Sequence, residues 1–450
     1  MSYNKIEKQV IEKITPNKLY RERIYQIIEE LRRKIEEEIQ KRKLPASVEL
    51  VGSMAKDTFL KDNLDIDFFL CYPTSYSKEK IARNTLDIGR KLLSDTEESY
   101  AEHPYLRGIF KGYKAEIVPC YQIEDASQKL SAVDRTPLHT KFIKENLDDD
   151  KKPDVRLFKQ FLRGIGCYGA EAETEGFSGY LCEILILKYN TFQNLILRSQ
   201  DWKYGEKLSV TKGKFPEFDT PLTFIDPVDS ERNVSSALSK ENFNLFVKAS
   251  KEYIKKPTIT FFFPNKTKPW AIDKIKKEIE KREFIGLKIE KPDIIAENLY
   301  PQVRKAVRSI KDLCKRYDFT ILDARFYIDN DLIYIVLQPK KFIISKTLIH
   351  MGPPVKLKKN ADEFIQKWKN NPRTIKKPFE KDKRLYVEIK REYTDIRHLL
   401  KEQVKNLSLG KHIDKIIKKD LNILETKELM TDNLRVFWTE YLDKKMPWER

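Results

Sequence analysis

The chain has 450 residues, enough for two to four domains, and 40% of them are hydrophobic, as folded domains with sizeable cores require. No apolar run reaches the length of a membrane span, and the start, MSYNKIEKQVIEKI, lacks the core of a secretory signal, so the expectation is a cytoplasmic protein without a membrane partner. The net charge of +18 is one-sided: residues 1–250 carry 40 basic and 40 acidic side chains, residues 251–450 carry 47 and 29. A thermophile-like surface explains the 35% charged residues but not this asymmetry. A polyanion-binding module attached to a neutral module with another activity accounts for the asymmetry. Five cysteines without CxxC pairing and five histidines without HxxxH spacing point to a reducing compartment and away from structural zinc.

Apolar Ile24, Ile27, Ile28, Leu31, Ile35 and Ile39 recur at three-to-four spacing and predict a helix within 16–43. Val48 to Val51 reads as a short strand ending in Gly52-Ser53, followed by a short segment of helical character, Met54 to Leu60. Glycine lets a backbone approach a ligand closely, amides at a helix start bind phosphate, and a serine hydroxyl adds a donor. This junction is a candidate phosphate cradle.

The next strand, over 64–72, carries Asp65 and Asp67 inside an apolar run. Side chains two apart share a strand face, so the carboxylates stand about 6–7 Å apart, with Ile66 and Phe68 opposite. They repel each other, and apolar surroundings disfavour their charged forms. An edge strand with one wet face is the commoner source of such a pattern. With a phosphate cradle just upstream, a hard cation such as Mg²⁺ accounts for it better, because that ion pairs oxygen ligands with substrate phosphates.

A helix over about 79–94 follows, then IFKGYKAEIVPCY, a turn entering a strand at Tyr113 to Val118. Glu116 in that strand is a candidate third carboxylate for a two-metal phosphoryl-transfer site; Asp125 and Asp134 are the alternatives. This order gives a mixed α/β unit to about residue 140. Helices are predicted over 154–165 and 179–199, and the stretch between them holds five of the chain's 14 glycines, interleaved with Cys167, Tyr168, Phe177 and Tyr180. Beyond Pro257, short strands such as Thr258 to Phe263 are predicted to alternate with Lys-rich helices such as 271–283. Residues 319–328 and 332–338 read as a hairpin around Asp329-Asn330-Asp331.

GSMAKDTFL, LDIDFF and AEIVPCY together resemble the catalytic core of the polymerase-beta-type nucleotidyltransferases. With SAVDRTPLH (131–139), VRLFKQFLRGIGCYGAEAETEGFSGYLCEIL (155–185) and FIDPVDSERNVSSALS (224–239), the likeness narrows to the archaeal class I CCA-adding enzymes, the tRNA nucleotidyltransferases. It covers the N-terminal half strongly and the rest weakly, through IHMGPPV (349–355) and the charge balance.

The resemblance implies an α+β multidomain fold: a mixed α/β nucleotidyltransferase head over 1–143, a helical neck over 144–256, and a basic α+β body and tail over 257–450. It implies an enzyme that adds C, C and A to the 3′ end of tRNA from CTP and ATP without a nucleic-acid template. Such an enzyme also repairs incomplete CCA ends, works at a two-metal Mg²⁺ site and releases pyrophosphate. Asp65, Asp67 and Glu116 would be the metal-binding carboxylates. Ser53, Lys56, Lys159 and Tyr168 would contact the triphosphate, His139 the nucleotide, and Arg232 the base. The basic C-terminal part would grip the acceptor and T arms of tRNA; whether two copies form a homodimer stays open.

Two positions depart from the family pattern. Glu116 stands where aspartate is commoner and Lys56 where arginine is, and both keep the charge. Taken singly, Lys159 could be solvated surface, His139 a loop residue and Tyr168 a packing residue, while Arg232 could pair with Asp229 or Glu231. The rival readings are a poly(A) polymerase of the same superfamily and a non-catalytic RNA-binding protein.

Overall fold

In the computed structural model, which describes all residues except 1, 2, 63, 101, 102, 214, 215 and 281, the chain opens with helices α1 (Lys5–Ile14) and α2 (Lys18–Lys41). Asn4 and Asn17 cap them, each side chain accepting an amide of the first turn. Of the predicted stripe, Ile24, Ile28, Leu31, Ile35 and Ile39 are buried along α2, and Ile27 is half-buried. Five strands follow: β1 (Ser47–Val51), β2 (Asp65–Tyr72), β3 (Ser94–Tyr100), β4 (Pro104–Phe110) and β5 (Tyr113–Tyr121). The single turn α3 (Gly52–Ala55) comes after β1, and α4 (Lys78–Leu92) after β2.

The sheet runs β1-β2-β5-β4-β3. Its centre, β2 beside β5, is parallel and every other pairing is antiparallel. Ile66, Phe68, Leu70 and Tyr72 of β2 pack with the apolar sides of α2 and α4. Alternation therefore turns Asp65 and Asp67 to the other face. Strands β3 and β4 are absent from the sequence reading. SDTEESY has no apolar alternation to reveal it, and β3 exists because its backbone pairs with β4.

A helical region comes next: α5 (Thr136–Asn146), α6 (Lys152–Ile165), α7 (Gly179–Tyr189), α8 (Phe192–Ser199) and α9 (Lys240–Lys255), with a short parallel pair, β6 (Glu206–Leu208) and β7 (Leu222–Phe224). The single helix predicted over 179–199 is two. Asn190 takes φ 69°, which a continuous helix cannot use, and Thr191 caps α8 by accepting the amide of Asn194. The strand predicted at Thr258 to Phe263 is instead a 3₁₀ turn, Ile259–Phe261. Phe261 and Phe262 are both buried, with ring centroids 5.9 and 5.6 Å from that of Phe161. Two adjacent residues cannot both face one core from a strand.

Phe261 also stacks on Trp448 at 5.1 Å, and Trp448 Nε1 donates to Glu252 at 2.6 Å. Residues 257–266 and the last six, which the sequence reading assigned to the basic region, are thus held in the first compact unit, residues 1–266 with 445–450.

The second unit spans 267–444. In chain order it holds α10 (Ile272–Ile279), β8 (Ile285–Glu290), α11 (Ala296–Arg316), β9 (Ile321–Ile328), β10 (Leu332–Pro339), β11 (Thr347–Pro354), α12 (Lys358–Lys369), β12 (Thr374–Lys381), β13 (Arg384–Lys390), α13 (Ile396–Gln403), α14 (Lys411–Lys419), β14 (Asn422–Glu425) and α15 (Arg435–Asp443). One sheet runs β14-β8-β10-β9 and another β11-β13-β12. The β9–β10 hairpin turns at 329–331 as predicted. Of the helix predicted over 271–283, α10 is seen and residue 281 lies outside the described residues. Among the described residues no helix is long and apolar enough to cross a membrane.

Candidate active site

Asp65, Asp67 and Glu116 lie on the face of the first sheet turned away from α2 and α4. Parallel pairing sets Asp67 of β2 beside Glu116 of β5, with Asp65 two residues along the same face. Gly52 closes over Asp67 from the end of β1. A side chain there would start 2.2 Å from Asp67 Oδ2, and the residue adopts φ +71°, so only glycine fits. Burial, and then the negative charges of Glu116 and Asp65, push the Asp67 carboxyl up to about 7. Burial raises Glu116 as well, against the pull of Arg107, whose Nε donates to Glu116 Oε1 at 2.6 Å. The alternatives for the third acid are committed elsewhere. Asp134 accepts the amides of Tyr121, Leu130 and Ser131, and Asp125 caps a turn through Ser127.

Beside this face lies a second group, in which two lysines share one carboxylate. Lys56, just after α3, donates to Glu183 Oε2 at 2.5 Å. Lys159 of α6 donates to Glu183 Oε1 at 3.1 Å, to Thr58 Oγ1 at 3.0 Å and to the Thr58 carbonyl at 3.2 Å. Those three bonds use all the donors an ammonium has. The Thr58 hydroxyl itself donates to Glu183 Oε1. Lys159 and Glu183 are each 1% exposed. Burial by itself would raise Glu183, but the two ammoniums hold it well below the usual carboxylate range. Lys56 is lowered, chiefly by lost water; the pull of Glu183 opposes this and the like charge of Lys159 adds to it.

Ser53 sits half-buried in α3, next to Gly52. Tyr168 and Lys159 converge at the first residue of α7: a side chain on Gly179 would lie 3.3 Å from the Tyr168 hydroxyl and 3.8 Å from Lys159 Nζ.

The third group centres on Asp226, which is 1% exposed. Its Oδ2 accepts from His139 Nε2 and from Arg232 Nη1, both at 2.8 Å. Its Oδ1 accepts from the Tyr180 hydroxyl and the Val228 amide, both at 3.1 Å. The rings of His139 and Tyr180 stack at 4.1 Å. Burial opposes ionisation of Asp226, and the His139 and Arg232 contacts outweigh it, drawing the carboxyl down to about 2. Burial lowers His139 despite Asp226, with Arg232 and Lys56 adding to the effect. Arg232 therefore pairs with neither Asp229 nor Glu231; Asp229 is taken by Arg135 at 2.7 Å and Lys129 at 2.9 Å. Lys56 links the groups, lying 5.8 Å from the Tyr180 ring centre and acting on both Asp67 and His139.

With this geometry in hand, the chain can be compared with known proteins. Residues 32–139 match the nucleotidyltransferase domain, 153–263 the second domain of tRNA nucleotidyltransferase, and 281–426 the C-terminal domain of the CCA-adding enzyme. The CCA-adding enzyme of Methanosarcina barkeri is 34% identical over 422 residues, 92% of each chain. That of Methanocaldococcus jannaschii is 36% identical over 436 residues, 92% of this chain and 94% of its own. That of Thermoplasma volcanium is 36% identical over 414 residues, 90% of each.

The chain belongs to the CCA-adding enzyme family. Enzymes of the nucleotidyltransferase superfamily generally use divalent metals. The donors here suit a hard cation in kind, being carboxylate oxygens whose mutual repulsion an ion would relieve. Asp65 and Asp67 share one face of β2 and could offer oxygens to such an ion. Glu116 is drawn to Arg107, and among the described residues no three His, Cys, Asp or Glu side chains stand ready to hold a metal.

Sequence reasoning passed over Glu183, Asp226, Thr58, Tyr180 and Arg107. For Glu183 a signal existed. It is the one charge in LCEILIL, and a lone acid in an apolar helix needs a partner, which is the argument applied to Asp65 and Asp67. Asp226, in FIDPV, carries the same signal more faintly.

Proposed function

We propose that this chain is a tRNA nucleotidyltransferase that adds C, C and A to the 3′ end of tRNA from CTP and ATP without a nucleic-acid template, and that it completes partial CCA ends. The observation that carries the reading is the parallel register that sets Asp67 beside Glu116, under Gly52. It supports a site in which carboxylates gather where a triphosphate's α-phosphate and an attacking 3′-hydroxyl meet. Asp65, Asp67 and Glu116 would hold two Mg²⁺ ions, which supply charge neutralisation at the α-phosphate and a more acidic hydroxyl.

The chain's own groups do the rest. Glu183 faces two ammoniums, so the Lys56–Lys159 group keeps a surplus positive charge that attracts the β- and γ-phosphates and steadies the departing pyrophosphate. Ser53 and Tyr168 add hydroxyl donors. His139 and Arg232 meet the nucleoside. Lys159, with its donors already engaged, acts through its charge and through the position it gives Thr58 and Glu183.

The match of 281–426 to the CCA-adding C-terminal domain favours this reading over a poly(A) polymerase. The basic second unit would hold the acceptor and T arms through phosphates and duplex shape. The test is incubation with Mg²⁺, labelled CTP or ATP, and tRNA lacking its last one, two or three nucleotides. The expected product stops at CCA. A long adenosine tract would support the polymerase, and no incorporation would support the RNA-binding protein.

A further inference from the structure

Asp226 has four acceptor positions, and four donors fill them: His139 Nε2, Arg232 Nη1, the Tyr180 hydroxyl and the Val228 amide. A guanidinium and a backbone amide can only donate. The Arg232 guanidinium at 2.8 Å holds the buried carboxyl ionised, so it only accepts, and the Tyr180 hydroxyl and the His139 ring must both donate. His139 Nε2 thus carries its hydrogen. Burial, with Arg232 and Lys56 adding to it, favours the neutral ring over the charged one. A neutral imidazole with a proton on Nε2 has a bare lone pair on Nδ1. The ring cannot swing to offer another atom, because Tyr180 stacks on it at 4.1 Å and is itself tied to the same carboxylate. Arg232 has spent one donor on Asp226 and is 31% exposed, so the rest of its fork remains for a ligand.

We propose that Asp226 is a positioning residue that fixes His139 as the Nε2–H tautomer, so that Nδ1 accepts a hydrogen bond from a donor group of the bound nucleoside triphosphate while Arg232 offers donors to an acceptor of the same nucleoside. This rests on the nucleotidyl-transfer reading above. Two nucleoside groups have the required chemistry: a ribose hydroxyl, and the exocyclic amine that cytosine and adenine share and that uracil lacks. With a donor from Arg232 beside an acceptor from His139, the second choice would match the amine and ring nitrogen common to C and A, and would oppose the carbonyl and N–H of U and G.

The tautomer is read first, without any activity, from the two ring ¹⁵N resonances of His139 in the full chain labelled at its histidines. An unprotonated Nδ1 is expected, and a protonated Nδ1 in the wild type overturns the proposal. The isosteric Asp226→Asn variant turns an amide towards the ring and the guanidinium. The His139 pattern should change, and discrimination should fall about tenfold or more, the size expected when a matched donor–acceptor pair is lost.

Discrimination is measured twice, as CTP against dCTP and as CTP against UTP, by incorporation and by equilibrium nucleotide binding. A fall in the first ratio assigns the ribose hydroxyl and a fall in the second the amine. No change in either overturns the proposal. If the wild type incorporates nothing into tRNA, the transfer reading fails, while the tautomer and the binding ratios still decide the role of Asp226.

Discussion

Glu183 and Lys159 face each other at 3.1 Å, sealed from solvent and twenty-four residues apart in the chain. Removing the carboxylate would leave Lys56 and Lys159 buried together without a counter-charge. Glu183→Gln should therefore destabilise the first unit by about 3–5 kcal/mol, the usual cost of orphaning a buried charge. Thermal unfolding checks this. A midpoint within a degree of wild type would mean that water, not Glu183, stabilises the two ammoniums.

Asp67 presents the opposite case, a charge that burial and its acidic neighbours disfavour. Its carboxyl is raised from 3.8 to about 7, so ionisation costs stability once the pH passes the ordinary value, and costs it in full above about 7. At pH 8 without metal, Asp67→Asn should melt higher than wild type. Incorporation into tRNA should meanwhile fall by several orders of magnitude, as loss of a metal ligand requires. A variant of equal or lower stability that keeps activity within tenfold would contradict both assignments.

The Asp226–His139 pair predicts an acid-sensitive fold. His139 titrates below its ordinary 6.5 in the folded chain, so the unfolded chain takes up that proton first as the pH falls, and stability declines below pH 6.5. Asp226, drawn from 3.8 to about 2, adds a second loss as the pH drops through that interval. Both signs agree. Melting curves from pH 8 to pH 3 should show a decline beginning near neutrality, and His139→Gln should abolish its upper part.

Arg232 can supply donors to O2 or N3 of cytosine and to N1 of adenine, but it cannot accept from the N–H groups of guanine and uracil. Arg232→Ala should raise misincorporation of UTP or GTP relative to CTP by roughly ten- to a hundredfold, from a penalty of about 1–3 kcal/mol per unpaired buried group. An equal loss of rate for all four nucleotides would leave Arg232 only its contact with Asp226.

The tRNA grip is assigned to the second unit. Cutting the chain at 266 does not test this, because Trp448 stacks on Phe261 and bonds to Glu252. Residues 265 and 450 are already neighbours, the Asn265 amide donating to the Arg450 carbonyl at 3.0 Å. Joining 266 to 445 through a short Gly-Ser linker should preserve the first unit and abolish most tRNA affinity. In the full chain that affinity should fall steeply with salt, as counterion release demands. Equal affinity with and without 267–444, or a flat salt response, would move the grip elsewhere.

By itself the sequence determined what depends on neighbours along the chain. The stripe of α2, the acid pair of β2 with its alternation, the Gly52 junction and the 329–331 hairpin all follow from backbone periods of 3.6 and 2 and from glycine's freedom. Tertiary structure alone decided what depends on residues distant in sequence. β3 is polar throughout and is a strand only because β4 pairs with it. Phe261 and Phe262 turn into a 3₁₀ bend because an aromatic cluster surrounds both. The partners of the buried charges belong to this second class as well. Arg232 had two acids within three residues, yet it took Asp226, because Asp229 was already held by Arg135 and Lys129. Periodicity shows that a charge is buried; which opposite charge meets it is fixed only when α5, α6, α7 and the loop after β7 pack together, since a buried ion must find its counter-ion in space and not in sequence.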